Sequence, residues 1–160
     1  MYSQTIAPLA LLMACTAQIA TAEGSDSPGF SGFGTWQAEC DAWGVAAECR
    51  STWRPGLSPD HVIQDYSITK AGDPSQIFAG RGLYRISGDT VTGGWEDSRG
   101  AILELAGTYE SGRLRVIWGS AQDEIGRSIY IWNEAALTAQ DSVLTDQGWR
   151  DFMVIEYPAP

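Results

Sequence analysis

Short alternating segments fill the chain from Trp36 onward and restrict its fold more than any other feature. Apolar and polar residues alternate over brief runs that end at Gly, Asp, Ser or Asn, and no window keeps a helical period beyond one or two turns. Such alternation is typical of strands with one buried face. The sequence therefore predicts an all-β chain with strands at 35–41, 46–52, 62–70, 76–87, 90–97, 101–109, 113–120, 125–132, 135–145 and 149–157.

Turn signals separate these strands. Ser87-Gly88-Asp89-Thr90 is typical of a two-residue hairpin, Glu110-Ser111-Gly112 of a three-residue hairpin, and residues 121–124 of a polar four-residue loop. Consecutive hairpins build an up-and-down meander, and closing a meander removes its exposed edges. We therefore expect an antiparallel up-and-down β-barrel of about eight to ten strands.

The N-terminal residues predict export. Residues 1–22 carry no Asp, Glu, Lys or Arg, and their apolar run 6–14 is shorter than the about 20 residues that span a bilayer. Ala20-Thr21-Ala22 has the A-x-A pattern of a cleavage site. We therefore expect a signal peptide over 1–22, a flexible Gly/Ser-rich segment over 23–34 and a barrel domain over 35–160, in a periplasmic or secreted protein. An alternative is a lipid anchor on Cys15, because Leu12-Met13-Ala14-Cys15 loosely resembles a bacterial lipobox.

Removal of Cys15 leaves two cysteines, Cys40 and Cys49. An even number of cysteines in an oxidising compartment favours a disulfide, and a turn signal at Trp43-Gly44 lets this pair staple a hairpin. The C-x8-C spacing differs from the C-x-x-C of redox proteins. Twenty acidic against 10 basic residues give a net charge of -10, which excludes nucleic acid as a partner.

One charge stands out when the strands are placed in register. Pairing Ser120 with Ile125 places Arg127 on the inner face, across from Trp118, and the preceding hairpin adds Tyr109 to that face. A buried guanidinium needs partners. Arg127 is then either a structural cation stacked on Trp118 or the receptor of a ligand carboxylate. The candidate ligand-binding residues are Arg127, Trp118 and Tyr109.

The start of the first strand resembles a known signature. Gly34-Thr35-Trp36 resembles the G-x-W motif of lipocalins in the calycin superfamily, whose Trp plugs one end of the barrel and stacks on an Arg near the last strand. Arg150 is placed to be that Arg, whereas the lipocalin T-D-Y motif survives only as Thr145-Asp146. The resemblance implies structural roles for Trp36 and Arg150, an internal cavity for a small, mostly apolar ligand, and no bound metal or dinucleotide.

Signals of catalysis are sparse. His61 is the single histidine, so it cannot build a zinc site, and it is predicted to lie in a surface loop. Glu96 and Asp97 are neighbours in a strand and point to opposite faces. No G-x-S-x-G elbow is present. We therefore predict no catalytic residue, no metal ligand and no cofactor.

These features favour an exported protein that binds an apolar or amphiphilic small molecule inside a barrel, with membrane contact only if Cys15 is lipidated. Two alternatives stay open. The first is a carbohydrate-binding module that stacks sugars on exposed Trp95 and Trp132. The second is an enzyme, such as an isomerase or hydrolase, that uses Arg127 to stabilise an oxyanion in the barrel.

Overall fold

The computed structural model describes residues 29–73, 75–119 and 125–159. These residues form ten strands in one sheet, in which each strand pairs antiparallel with the next along the chain. The strands are β1 Gly34–Ala42, β2 Val45–Pro55, β3 His61–Lys70, β4 Gln76–Ser87, β5 Thr90–Asp97, β6 Ile102–Glu110, β7 Arg113–Trp118, β8 Gly126–Trp132, β9 Ala136–Thr145 and β10 Gly148–Pro158. The predicted all-β, up-and-down architecture is confirmed. No helix that could cross a membrane occurs among the residues described.

The sheet curls into a nearly closed barrel. β1 lies beside β10, but no hydrogen-bonded ladder joins them within the described ranges. This shape is compatible with the calycin-like barrel that the sequence predicts. Inner residues alternate with outer ones along each strand, as in β2, where Ala47, Cys49, Ser51 and Trp53 are buried and their neighbours are more exposed.

Tight turns join the strands at several points. Trp43 and Gly44 have φ values of 55° and 84°, and Ser111 and Gly112 have values of 49° and 75°. Positive φ at both central residues is typical of a two-residue hairpin whose twist matches that of its strands. The turn predicted at Trp43-Gly44 is confirmed, as is the hairpin that pairs Ser87 with Thr90. The Ser111-Gly112 turn has two residues rather than the three predicted.

The predicted Cys40–Cys49 disulfide is present, with Cα atoms 5.9 Å apart. Cys40 pairs with Ala47 and Cys49 with Ala38, so the bridge runs diagonally across β1 and β2. Both cysteines lie on the inner face, and Cys49 is fully buried. The bridge therefore staples the first hairpin from inside the barrel. A disulfide of this kind is typical of an oxidising compartment.

Aromatic side chains close one end of the barrel, which we call the closed end. The Phe30 ring packs 5.0 to 5.6 Å from the rings of Phe33, Trp53, Tyr109 and Trp132. The Tyr109 hydroxyl donates to the Gly29 carbonyl over 3.2 Å and accepts from the Ser31 amide over 3.2 Å. The described part of the segment 23–34, which was expected to be flexible, is thus packed against the barrel through Phe30, and its last residue, Gly34, begins β1. The proposed signal peptide and Cys15 lie outside the described residues.

The predicted register of the β7–β8 hairpin is wrong by one residue. Trp118 pairs with Gly126, and Ile117 pairs with Arg127. A slip of one residue sends every side chain of a strand to the other face. Ser128 and Tyr130 therefore face the interior, whereas Arg127 faces outward. By contrast, the predicted pairing of Tyr109 with Leu114 is confirmed.

Candidate ligand cavity

A cavity of about 660 Å³ occupies the half of the barrel away from the closed end. Its mouth lies at the turns that follow β1, β5 and β9, which we call the open end. The wall is mostly aromatic and aliphatic. Its aromatic members are Trp43, Tyr66, Phe78, Tyr84, Trp95, Trp118, Tyr130, Phe152 and Tyr157. A volume of this size falls in the range of about 300–1,000 Å³ that is usual for small-molecule pockets.

Gln64 anchors a hydrogen-bond network across the barrel. Its Nε2 donates to the Ser51 hydroxyl over 3.1 Å and to the Tyr130 hydroxyl over 3.3 Å. Its Oε1 accepts from the Tyr84 hydroxyl over 2.6 Å. Gln64 and Tyr84 are both about 1% exposed, so their polar atoms are satisfied by protein. This network forms a rigid inner boundary of the cavity, with the closed end beyond it.

Asp141 places a carboxyl group in the cavity wall halfway along β9. Its Oδ1 lies 2.5 Å from Ser128 Oγ, which lies 3.2 Å from Trp118 Nε1. Since the indole nitrogen can only donate, Ser128 accepts from Trp118 and donates its own proton to Asp141. The three side chains form a directed relay that ends on the carboxylate.

Burial is the largest cause of the pKa shifts of Asp141 and of four tyrosines of the cavity wall. Desolvation raises the pKa of Asp141 to about 6, and the hydrogen bond from Ser128 opposes that rise. Desolvation also raises the pKa of Tyr66, Tyr84, Tyr130 and Tyr157 above the ordinary tyrosine value. The four phenols are therefore neutral across physiological pH, and Asp141 is the group that titrates among them.

The open end carries a stack of aromatic rings and a cation. The Phe78 and Trp95 rings stack with centroids 6.5 Å apart, and Trp43 meets Phe78 edge-on at 6.4 Å. The Arg99 guanidinium lies 4.8 Å from the Trp43 ring and 5.3 Å from the Phe78 ring. Cation–π contacts at this range hold Arg99 over the mouth.

Asp97 and Asp151, the carboxylates that border the mouth among the described residues, are already hydrogen-bonded. Asp97 Oδ1 accepts from the amides of Arg99 over 2.8 Å and Ala101 over 3.3 Å, so Asp97 fixes the β5–β6 turn. Asp151 accepts from the Ser142 hydroxyl over 2.7 Å and from Gln140 Nε2 over 2.8 Å. Both groups serve local structure.

The three candidate ligand-binding residues lie in three different places. Trp118 lines the cavity. Tyr109 belongs to the closed end, where it packs on Phe30. Arg127 lies on the outer face, with its guanidinium 4.4 Å from the Trp149 ring and Nη2 donating to Ser142 over 3.3 Å. The expectation of Arg127 inside the barrel is therefore wrong, and it stacks on Trp149 rather than on Trp118.

Trp36 and Arg150 do not meet. Trp36 is buried near the closed end, where its Nε1 donates to the Gly32 carbonyl over 3.2 Å. Arg150 pairs with Val143 at the start of β10 and borders the cavity at the open end. Because β1 and β10 begin at opposite ends of the barrel, the predicted Trp36–Arg150 stack is wrong.

The structure also places Trp95 and Trp132, the residues of the carbohydrate-binding alternative, and the single histidine. Trp132 is buried at the closed end while Trp95 lines the cavity, so the two do not share an exposed surface. The single histidine, His61, starts β3 on the outside, 3.9 Å from Asp60, and therefore cannot activate Ser128. No group of three potential metal ligands occurs among the described residues.

Neither Asp141 nor Gln64, which both contribute polar atoms to the cavity wall, was predicted from the sequence. A signal for Asp141 exists in the alternation of β9, where it shares a face with Leu137, Ala139 and Val143. A single acidic residue at an inward position of an otherwise apolar strand face indicates a site.

Comparison with known proteins does not assign the chain to a family. No protein-family model matches the chain, and no curated protein matches it.

Proposed function

We propose that this protein binds a small amphiphilic molecule inside its barrel. The cavity carries the proposal: it is open at one end, is bounded at the other by the Gln64 network with the closed end beyond it, and has a volume of about 660 Å³. Pockets with apolar walls and a few placed polar groups suit ligands with an apolar body and one or two polar atoms. Asp141 and Ser128 supply such polar groups here.

A titration with a neutral hydrophobic dye tests this function. Nile red should bind the protein with a blue-shifted emission and a stoichiometry of about one. Leu103→Trp should weaken this binding, because Leu103 borders the cavity and a larger side chain would fill it. Ile102→Trp is the matched control, since Ile102 is the neighbouring residue and points outward with 85% exposure. A dye that fails to bind, or that binds both variants equally, would contradict an internal site.

We further propose that the protein is exported and related to the calycins. The disulfide supports an oxidising compartment, and the near-closed barrel with Trp36 at its closed end supports the kinship. Sequencing of the N-terminus of the protein from its native host tests export. A start at Glu23 would support a cleaved signal peptide, and an acylated Cys15 would support a membrane-anchored form. An intact Met1 in a cytoplasmic fraction would contradict both.

A further inference from the structure

Asp141 has no cationic partner among the residues that the structure describes. Desolvated carboxylates are normally paired, because an uncompensated buried charge costs several kcal/mol. Asp141 takes part in none of the ion pairs formed by the described residues, all of which lie on the outer surface. The two arginines of the cavity, Arg99 and Arg150, stand at the mouth, and Arg99 is held there by Trp43 and Phe78.

The second carboxylate oxygen of Asp141 can still accept a hydrogen bond. Oδ1 receives the Ser128 proton, whereas Oδ2 receives no hydrogen bond from the described residues. The side chain is enclosed by protein yet keeps partial access to the cavity. The relay from Trp118 through Ser128 supports the ionised form, because both groups donate toward the carboxylate. The cavity therefore presents an acceptor that a ligand donor can reach.

The surroundings of this acceptor suit a cation. Tyr66, Tyr130 and Trp118 border the same cavity, and aromatic faces attract ammonium groups. The four buried phenols are neutral, so Asp141 is the charged side chain that the described residues place in the cavity wall away from the mouth. The net charge of -10 also favours the approach of cations over anions.

We propose that the natural ligand carries a protonated amine on an apolar body, and that the ammonium group pairs with Asp141 inside the barrel. This inference rests on the proposed function, since it names the chemistry of the ligand that the cavity holds. The amine replaces the missing counter-charge of Asp141, and the aromatic wall receives the apolar body.

Three probes with one ring system and different charge test the inference. 2-(1-Naphthyl)ethylamine, 2-(1-naphthyl)ethanol and 1-naphthylacetate compete with Nile red for the wild-type protein at pH 7.5. We expect the amine to bind about tenfold or more tightly than the alcohol, as a charge-assisted bond predicts, and the acetate to bind most weakly. Equal affinity for amine and alcohol would overturn the inference.

Two variants assign the preference to its residue. Asp141→Asn keeps the shape and the hydrogen bond from Ser128, and it should reduce the amine-to-alcohol ratio to near one while Nile red still binds. Asp151→Asn is the matched control, because Asp151 is a mouth carboxylate already bonded to Ser142 and Gln140, and it should keep the ratio. A ratio that survives Asp141→Asn, or that disappears in Asp151→Asn, would overturn the assignment.

The dye separates the two proposals. Nile red binding without amine preference would remove this inference and leave the proposed function standing. Failure of Nile red and of all three probes would remove both. Far-UV circular dichroism of each variant confirms that it is folded before its affinities are compared.

Discussion

The indole ring of Trp118 lies flat against Gly126, its cross-strand partner. A β carbon at Gly126 would overlap the ring. A β carbon at Gly80 would likewise overlap the Trp95 ring, although the cross-strand partner of Trp95 is Gly82. Because glycine has no side chain, the inward-facing ring of a tryptophan on the adjacent strand can lie over its backbone and line the cavity. Gly126 and Gly80 therefore set where the cavity wall stands.

Gly126→Ala should displace the Trp118 ring. The added methyl has no free space, so we expect a loss of about 1–3 kcal/mol in the free energy of unfolding and weaker binding of Nile red. Urea unfolding and dye titration measure the two effects. Gly94→Ala is the control, because its β carbon would approach nothing closer than 3.7 Å. An undisturbed affinity in Gly126→Ala would show that Trp118 does not shape the site.

Two buried tyrosines should respond differently to loss of the hydroxyl group. Tyr84 donates to Gln64 over 2.6 Å, so Tyr84→Phe should lower the free energy of unfolding by about 1–2 kcal/mol. The buried Tyr157 hydroxyl faces the Tyr66 hydroxyl but makes no well-formed hydrogen bond with the described residues, so Tyr157→Phe should cost less than Tyr84→Phe. Urea denaturation of both variants gives the comparison. The opposite order would mean that Tyr157, not Tyr84, belongs to the hydrogen-bond network.

Alternation and turn chemistry predict most of the barrel, because each strand has one apolar face and each tight turn leaves one register. The Tyr109–Leu114 pairing follows in this way from the turn at Ser111-Gly112. The β8 register could not be predicted by the same logic. Ile129 and Ile131 on one face and Tyr130 and Trp132 on the other are equally apolar, and the connection from β7 is too long to fix the pairing.

The cavity itself is harder to predict, because it depends on which residues from distant strands meet. Gln64 in β3 bonds to Tyr84 in β4 and Tyr130 in β8, a contact that spans 66 residues of sequence. A buried glutamine looks like any polar strand residue until its partners are placed. Arg127 shows the converse error, since a charge in an apolar strand was assigned to the interior when one outer tryptophan, Trp149, accommodates it.

Phe30→Ala should open the closed end. Phe30 is 6% exposed and touches four aromatic rings, so its truncation should cost about 3–5 kcal/mol. Guanidinium denaturation measures the loss. Phe152→Ala serves as the control, because Phe152 is 41% exposed and its truncation should cost far less. A cost below about 1 kcal/mol for Phe30→Ala would show that the residues before β1 do not seal the barrel.

Removing the Cys40–Cys49 bridge should destabilise the protein by about 2–3 kcal/mol, because the bridge closes a short loop in the unfolded chain. The double variant Cys40→Ala/Cys49→Ala and the wild type in dithiothreitol should unfold at similar denaturant concentrations. Dithiothreitol should not affect the double variant further. If the reductant leaves wild-type unfolding unchanged, the bridge is either absent or inaccessible, and thiol labelling under denaturing conditions distinguishes these cases.

The pH dependence of stability should reveal Asp141. Its pKa in the folded protein is raised from 3.8 to about 6, so the folded state binds this proton more tightly than the unfolded state does. This group therefore lowers stability as the pH rises from about 4 to 6, and its full cost, on the order of 2–3 kcal/mol, is present above pH 6.

In the absence of ligand, Asp141→Asn should be more stable than the wild type at pH 8, and most of that difference should vanish at pH 4.5. Urea denaturation of the two proteins across this range isolates the contribution, because all other titrating groups are shared. The range ends at pH 4.5, because both proteins lose stability below about pH 4, where carboxylates such as Asp151 become protonated. Hydrogen bonds from Ser142 and Gln140 lower the pKa of Asp151 in the folded protein, so its protonation opposes folding. A constant difference between the proteins from pH 4.5 to 8 would show that Asp141 is not desolvated in the cavity wall.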